Sequence, residues 1–115
     1  MKTYLTVNRI EFIVTYRCNA HCAHCQVDDE TRRSRPAAIE ADLAAQIVRR
    51  ICTAYEPRSV MTFGGEPLLY PDVVCAIHAA ATACGIPRRD IITNAGVPRS
   101  ATAARTRRCP RRWTF

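Results

Sequence analysis

From Arg9 to Thr15 the chain reads RIEFIVT, with Ile10, Phe12 and Val14 at alternate positions. Period two in β-branched and aromatic residues predicts a strand. From Ala38 to Tyr55 the period changes: Ile39, Leu43, Ile47, Ile51 and Tyr55 recur every four residues, and Val48 and Cys52 widen the stripe. That spacing predicts an amphipathic helix, stopped by Pro57. The polar stretch DDETRRSRP ahead of it reads as an exposed connection. Ser59 to Phe63 (SVMTF) is a short apolar strand ended by Gly64-Gly65. Pro71 and Asp72 open a second helix through Val74, Ile77, His78, Ala81 and Cys84, closed by Gly85. Asp90 to Thr93 (DIIT) is a third short strand, followed by Asn94-Ala95-Gly96.

Strand, helix, strand, helix, strand implies an α/β fold whose strands run parallel through right-handed crossovers. One geometric consequence organises the chemistry. The cysteine-rich stretch CNAHCAHC follows the first strand, Gly64-Gly65-Glu66-Pro67 follows the second, and Thr93-Asn94 ends the third. All three lie at the carboxyl ends of parallel strands, the edge where α/β proteins place their ligand sites.

The 115 residues suffice for one small domain or a piece of a larger one. Apolar residues nowhere run on for roughly 18 positions, so no transmembrane helix is expected. The N-terminal MKTYLTVNRIEF lacks the apolar block of a signal peptide, which makes the cytoplasm the default compartment. The net charge of +7 is concentrated at one end. Residues 1–96 carry 11 basic and 10 acidic side chains, whereas residues 97–115 carry six arginines and no acid. The chain therefore divides into an α/β portion, 1–96, and a basic tail, 97–115, expected to be solvated and disordered; a nucleic-acid arm is the other reading of such a charge run. Trp113 and Phe115 belong to that tail. Sixteen of the 17 basic residues are Arg, as in a GC-rich gene, where a frameshift or early end would leave an Arg-, Pro- and Ala-rich terminus.

Seven cysteines are present, an odd number, and Cys18, Cys22 and Cys25 fall within eight residues. Cys52 and Cys84 sit in helical patterns as small buried hydrophobes. The clustered trio reads as metal ligation. Thiolates suit zinc and iron–sulfur clusters alike. A structural zinc would take a fourth ligand from His21 or His24. In a four-iron cluster, three cysteines leave one iron open to a small molecule. The cysteines by themselves leave both readings open. Gly64 and Gly65, lacking Cβ atoms, allow close approach of backbone to a ligand. Glu66 adds a carboxylate able to accept from an ammonium group, and Pro67 stiffens the exit. Alone, GGEP is a turn; one βα unit after three cysteines it becomes the rim of a site.

Together, VTYRCNAHCAHC and TFGGEPLLYPD resemble the radical S-adenosylmethionine (radical SAM) enzymes. Their signature is C-x3-C-x2-C after the first strand of a partial (β/α)6 barrel and GGE or GGEP after the second. The resemblance spans residues 9 to 96. It implies a [4Fe–4S] cluster on Cys18, Cys22 and Cys25, with the open iron chelating the methionine part of SAM. An external one-electron reductant would drive cleavage to methionine and a 5′-deoxyadenosyl radical that abstracts hydrogen from a substrate. By position, Gly64, Gly65 and Glu66 would hold the SAM ammonium. His24, where the family usually has an aromatic residue, would lie near the adenine. Thr93 matches a frequent T-N-G element, here interrupted by Ala95, and would touch SAM.

Against six βα units in the family barrel, this sequence supplies about three strands and two helices. The expectation is the cofactor half of a barrel, either a fragment or completed by a second polypeptide. A zinc-binding Cys3His module with a nucleic-acid-contacting tail and an inactive remnant are the alternatives. His21 and Arg17 read as solvated loop residues, and His78 as a partly buried structural histidine.

Overall fold

The computed structural model describes residues 6–96; the basic tail and the disorder expected of it lie outside the described residues. Three parallel strands, β1 (Arg9–Thr15), β2 (Ser59–Gly64) and β3 (Arg88–Ile91), form one sheet in the order β1-β2-β3. Helix α2 (Ala41–Ala54) links β1 to β2, and α3 (Pro71–Ala83) links β2 to β3. The α/β class and parallel pairing follow the sequence pattern. So does β1, whose boundaries match RIEFIVT.

One sheet face and the two helices share the core. Ile10, Phe12 and Val14 of β1 and Val60 of β2 pack with Ala44, Ala45 and Val48 of α2 and Val73, Val74, Ile77, Ala80 and Ala81 of α3. Small alanines at the facing positions let the two helices lie close against each other. α3 ends in a Schellman arrangement: Gly85 takes φ +77°, its N–H donates to the Thr82 carbonyl (3.0 Å), and the Ile86 N–H donates to Ala81 (2.9 Å). Ile86 is buried beneath the turn. Burial, aided by the neighbouring Cys84, pushes the Cys52 thiol up to about 11.

The other sheet face is open among the described residues. Ile13 is 43% exposed and Ile92 57%. At the amino ends of the strands Arg9 reaches across to Asp90 (3.4 Å), which also pairs with Arg88 (3.1 Å).

Three elements differ from the expectation. The stretch read as a connection contains a short helix, α1 (Asp29–Ser34). Asp28 caps it, its Oδ1 accepting from the Thr31 N–H (2.6 Å), with Asp29 and Glu30 in the first turn and Arg32 and Arg33 in the last. Cap and charge order stabilise a turn that has no apolar stripe to reveal it. Strand β3 begins two residues earlier than DIIT, because Arg88 and Arg89 pair with Ser59 and Val60 while Thr93 leaves the sheet. Finally, α2 starts at Ala41, and Ile39 instead donates its N–H to the Val14 carbonyl (3.1 Å).

His78 is buried, as anticipated, and shares a 3.1 Å hydrogen bond with the Thr62 hydroxyl. Burial, reinforced by the charge of Arg89, lowers its pKa from 6.5 to about 4. The unfolded chain therefore takes up a proton below pH 6.5 that the folded chain refuses until about pH 4. Stability is expected to fall by roughly 2–3 kcal/mol as the pH drops through that window. Urea titrations between pH 4 and 7 check this: His78→Gln should flatten the slope, and an unchanged slope would assign it to other groups.

Candidate functional site

Strand β1 hands the chain to the cysteine loop through an irregular step. Its pairing with β2 shifts between Ile13, opposite Phe63, and Thr15, opposite Gly64. Val14 and Thr15 are consequently both buried, breaking the strand's alternation. The Thr15 hydroxyl donates to the Ala37 carbonyl and accepts from the Arg17 N–H (2.9 Å), which fixes the first residues of the loop.

The glycine turn docks directly on those residues. Gly65 N–H donates to the Thr15 carbonyl (2.7 Å) and Glu66 N–H to the Arg17 carbonyl (2.8 Å). Gly64 adopts φ +137°. A Cβ on Gly65 would collide with the Arg17 carbonyl oxygen and lie 2.6 Å from its carbon. What approaches the two glycines is thus the backbone that carries Cys18. Pro67 then opens a single 3-10 turn, Pro67–Leu69.

Glu66 is fully buried. Its Oε1 accepts from the Leu68 N–H (2.9 Å) and the Thr93 hydroxyl (2.6 Å), and its Oε2 from the Asn94 N–H (2.7 Å). A carboxylate offers about four acceptor positions, and three of these are taken by the β2 turn and the end of β3. Asn94 carries the connection onward: its Nδ2 donates to Asn19 Oδ1 (3.0 Å) and lies 3.8 Å from Cys18 Sγ. Asn19 in turn donates to the Gly96 carbonyl (3.3 Å). Ala95, the residue that interrupts T-N-G, takes a positive φ of 55°, with its N–H donating to Thr93 Oγ1 (2.9 Å). Hydrogen bonds therefore join the carboxyl ends of all three strands.

Cys22 and Cys25 are exposed and Cys18 half-buried. The Cys25 N–H donates to the Cys22 carbonyl (3.1 Å), closing a tight turn over Ala23 and His24. A backbone hydrogen bond with Val27, then the guanidinium of Arg32, lower the Cys25 pKa. His21 and His24 are exposed. Among the described residues no three His, Cys, Asp or Glu side chains are gathered as a metal site. The sequence therefore located the three loops. Asn94 was marked there only as part of the T-N-G element after the third strand; Asn19 and Arg32 carried no sign, because their contacts depend on the paths of those loops.

No helix among the described residues is long and apolar enough to cross a membrane. Compared with known proteins, the chain is 29% identical over 92 residues to the GTP 3',8-cyclase of Streptomyces coelicolor, covering 78% of this chain and 27% of that protein. It is 28% identical over 99 residues to the 7-carboxy-7-deazaguanine synthase of Methanothermobacter thermautotrophicus, covering 84% and 38%. It is 33% identical over 81 residues to the GTP 3',8-cyclase of Stenotrophomonas maltophilia, covering 70% and 24%. The chain thus spans well under half the length of these relatives. The family model of the Radical SAM superfamily matches residues 12–112, and with the cysteine loop and the glycine turn joined at one sheet edge, the chain belongs to the radical SAM superfamily.

Proposed function

We propose that this chain is the cluster- and SAM-binding portion of a radical SAM enzyme, with Cys18, Cys22 and Cys25 as cluster ligands. The observation that carries this reading is the pair of backbone hydrogen bonds from Gly65 and Glu66 to Thr15 and Arg17, which holds the glycine turn against the start of the cysteine loop. The donor set suits a [4Fe–4S] cluster: three soft thiol ligands lie on one short loop, two of them exposed. When bound, such a cluster supplies the electron with which the family cleaves SAM to a 5′-deoxyadenosyl radical.

The chain's own residues bind and orient. Gly64 and Gly65 would offer backbone to the methionine end of SAM. His24, exposed within the turn between two cysteines, is available to lie against the adenine. Glu66 acts by positioning, since its carboxylate faces inward to Thr93 and Asn94 and is sealed from solvent. Thr93 would meet SAM from the third strand end. The edge of β3, unpaired among the described residues, and the exposed Ile13 and Ile92 on the open sheet face suit further β/α units, from this polypeptide or another, where a substrate would be held.

Anaerobic reconstitution with iron and sulfide tests this. The expected result is about four irons per chain, a brown spectrum and a paramagnetic signal that changes on adding SAM. Cys22→Ser should abolish all three. A colourless protein holding one zinc would favour the Cys3His module, and a cluster unaffected by SAM would make the chain a remnant.

A further inference from the structure

Arg32 occupies a position that helix packing does not require. It sits in the last turn of α1, four residues after the capping Asp28. Helical side chains lean toward the N-terminus of their helix, so Arg32 reaches back over the cap toward the cysteine loop. Its Nη2 donates to Cys25 Sγ (3.1 Å) and its Nη1 to the Ala20 carbonyl (3.5 Å). One guanidinium thereby spans the loop from between the first two cysteines to the third. Reaching there has a cost: Arg32 Nε is buried and finds no hydrogen-bond partner among the described residues. A solvated surface arginine leaves no such atom behind. The adjacent Arg33 is exposed, carries the same charge, and takes no part in the loop's hydrogen bonds.

On the reading that Cys25 is a cluster ligand, we infer that Arg32 is a positioning residue for the cluster, donating an N–H to the Cys25 sulfur and setting the cluster's reduction potential. A cationic donor at a ligating thiolate draws off negative charge. It therefore favours the cluster form that has gained an electron from the external reductant, and raises the potential. The placement is asymmetric. Arg32 serves Cys25 at 3.1 Å, while the neutral Asn94 amide lies 3.8 Å from Cys18.

The test is a paramagnetic-resonance redox titration of the reconstituted full chain, comparing the parent with Arg32→Gln, Arg32→Lys and Arg33→Gln, alongside iron content. Arg32→Gln and Arg33→Gln remove the same net charge, so their difference isolates the contact. Arg32→Gln should shift the midpoint to a more negative potential, Arg32→Lys should fall between it and the parent, and Arg33→Gln should titrate as the parent does. If a variant loads less iron, the signal of the loaded fraction still reports its potential. A parent that loads four irons with Arg32→Gln and Arg33→Gln titrating alike would overturn this inference alone. A parent that builds no cluster would overturn it together with the proposed function.

Discussion

Replacing Glu66 by Gln is expected to lower the stability of the chain by roughly 2–3 kcal/mol and, on the proposed function, to weaken SAM binding. The carboxylate accepts from three groups on two strand ends: Leu68 N–H, the Thr93 hydroxyl and Asn94 N–H. A Gln oxygen can take the place of Oε1, but its NH₂ then faces the Asn94 N–H, donor against donor. Turning the amide over leaves Leu68 and Thr93 without an acceptor instead. Either way a buried group goes unsatisfied at a fully buried position, and the charge that strengthened all three bonds is gone. Urea unfolding followed by circular dichroism measures the first effect, and equilibrium dialysis with SAM the second. The exposed Glu56→Gln is the control and should stay within about 0.5 kcal/mol of the parent. Were the two variants to unfold alike, Glu66 would not be the strap between β2 and β3.

The second large effect is expected at Gly65. An alanine there places a methyl carbon into the Arg17 carbonyl and 2.9 Å from the carbonyl carbon of Tyr16. These are backbone atoms of a hydrogen-bonded junction and cannot swing aside as the end of a side chain can. The two bonds that dock the turn, Gly65 to Thr15 and Glu66 to Arg17, must lengthen together. Overpacking of this kind costs roughly 2–3 kcal/mol, or about 10–20 °C in Tm for a domain of this size. Iron uptake should fall with it, because the displaced segment leads directly into Cys18. Gly85→Ala makes the comparison instructive. No atom lies within 4 Å of its Cβ position, so only the positive φ of 77° counts against it. That variant should lose about 1–2 kcal/mol and load iron like the parent. If Gly65→Ala loads iron normally, the turn and the cysteine loop are not mechanically joined.

Much of this arrangement is written in patterns short enough to read by eye. Alternation placed β1 and the fourfold spacing placed α2; the order of elements then forced three chemically unusual loops onto one edge. What the patterns could not carry is which atoms meet there. Glu66 offered a carboxylate, but its inward aim depends on Thr93 leaving the sheet, and that depends on β3 starting at Arg88. The arginines at 88 and 89 hid that start, since no apolar period includes them. α1 was invisible for a similar reason: Asp28 and the charges around it stabilise a helix through its ends, and Arg32 became meaningful only once that helix existed. Gly65 was legible as a place of close approach, though not what approaches. Long-range backbone contact of this kind has no local signature.

The shift in pairing between Ile13 and Thr15 separates two demands that a strand ordinarily ties together. In a regular strand, the residue that meets the core also dictates where the following loop departs. Here the alternation runs through Val14 and breaks at Thr15, so the body of β1 answers to the helices and its last residue answers to the glycine turn. Changes at Ile10 and Phe12 are then tuned against packing, those at Arg9 against its ion pair with Asp90, and the aim of the cysteine loop is insulated from both. Length is the one property the step does not tolerate: a residue gained or lost at Val14 would turn the loop through the sheet and carry all three thiols to the wrong side.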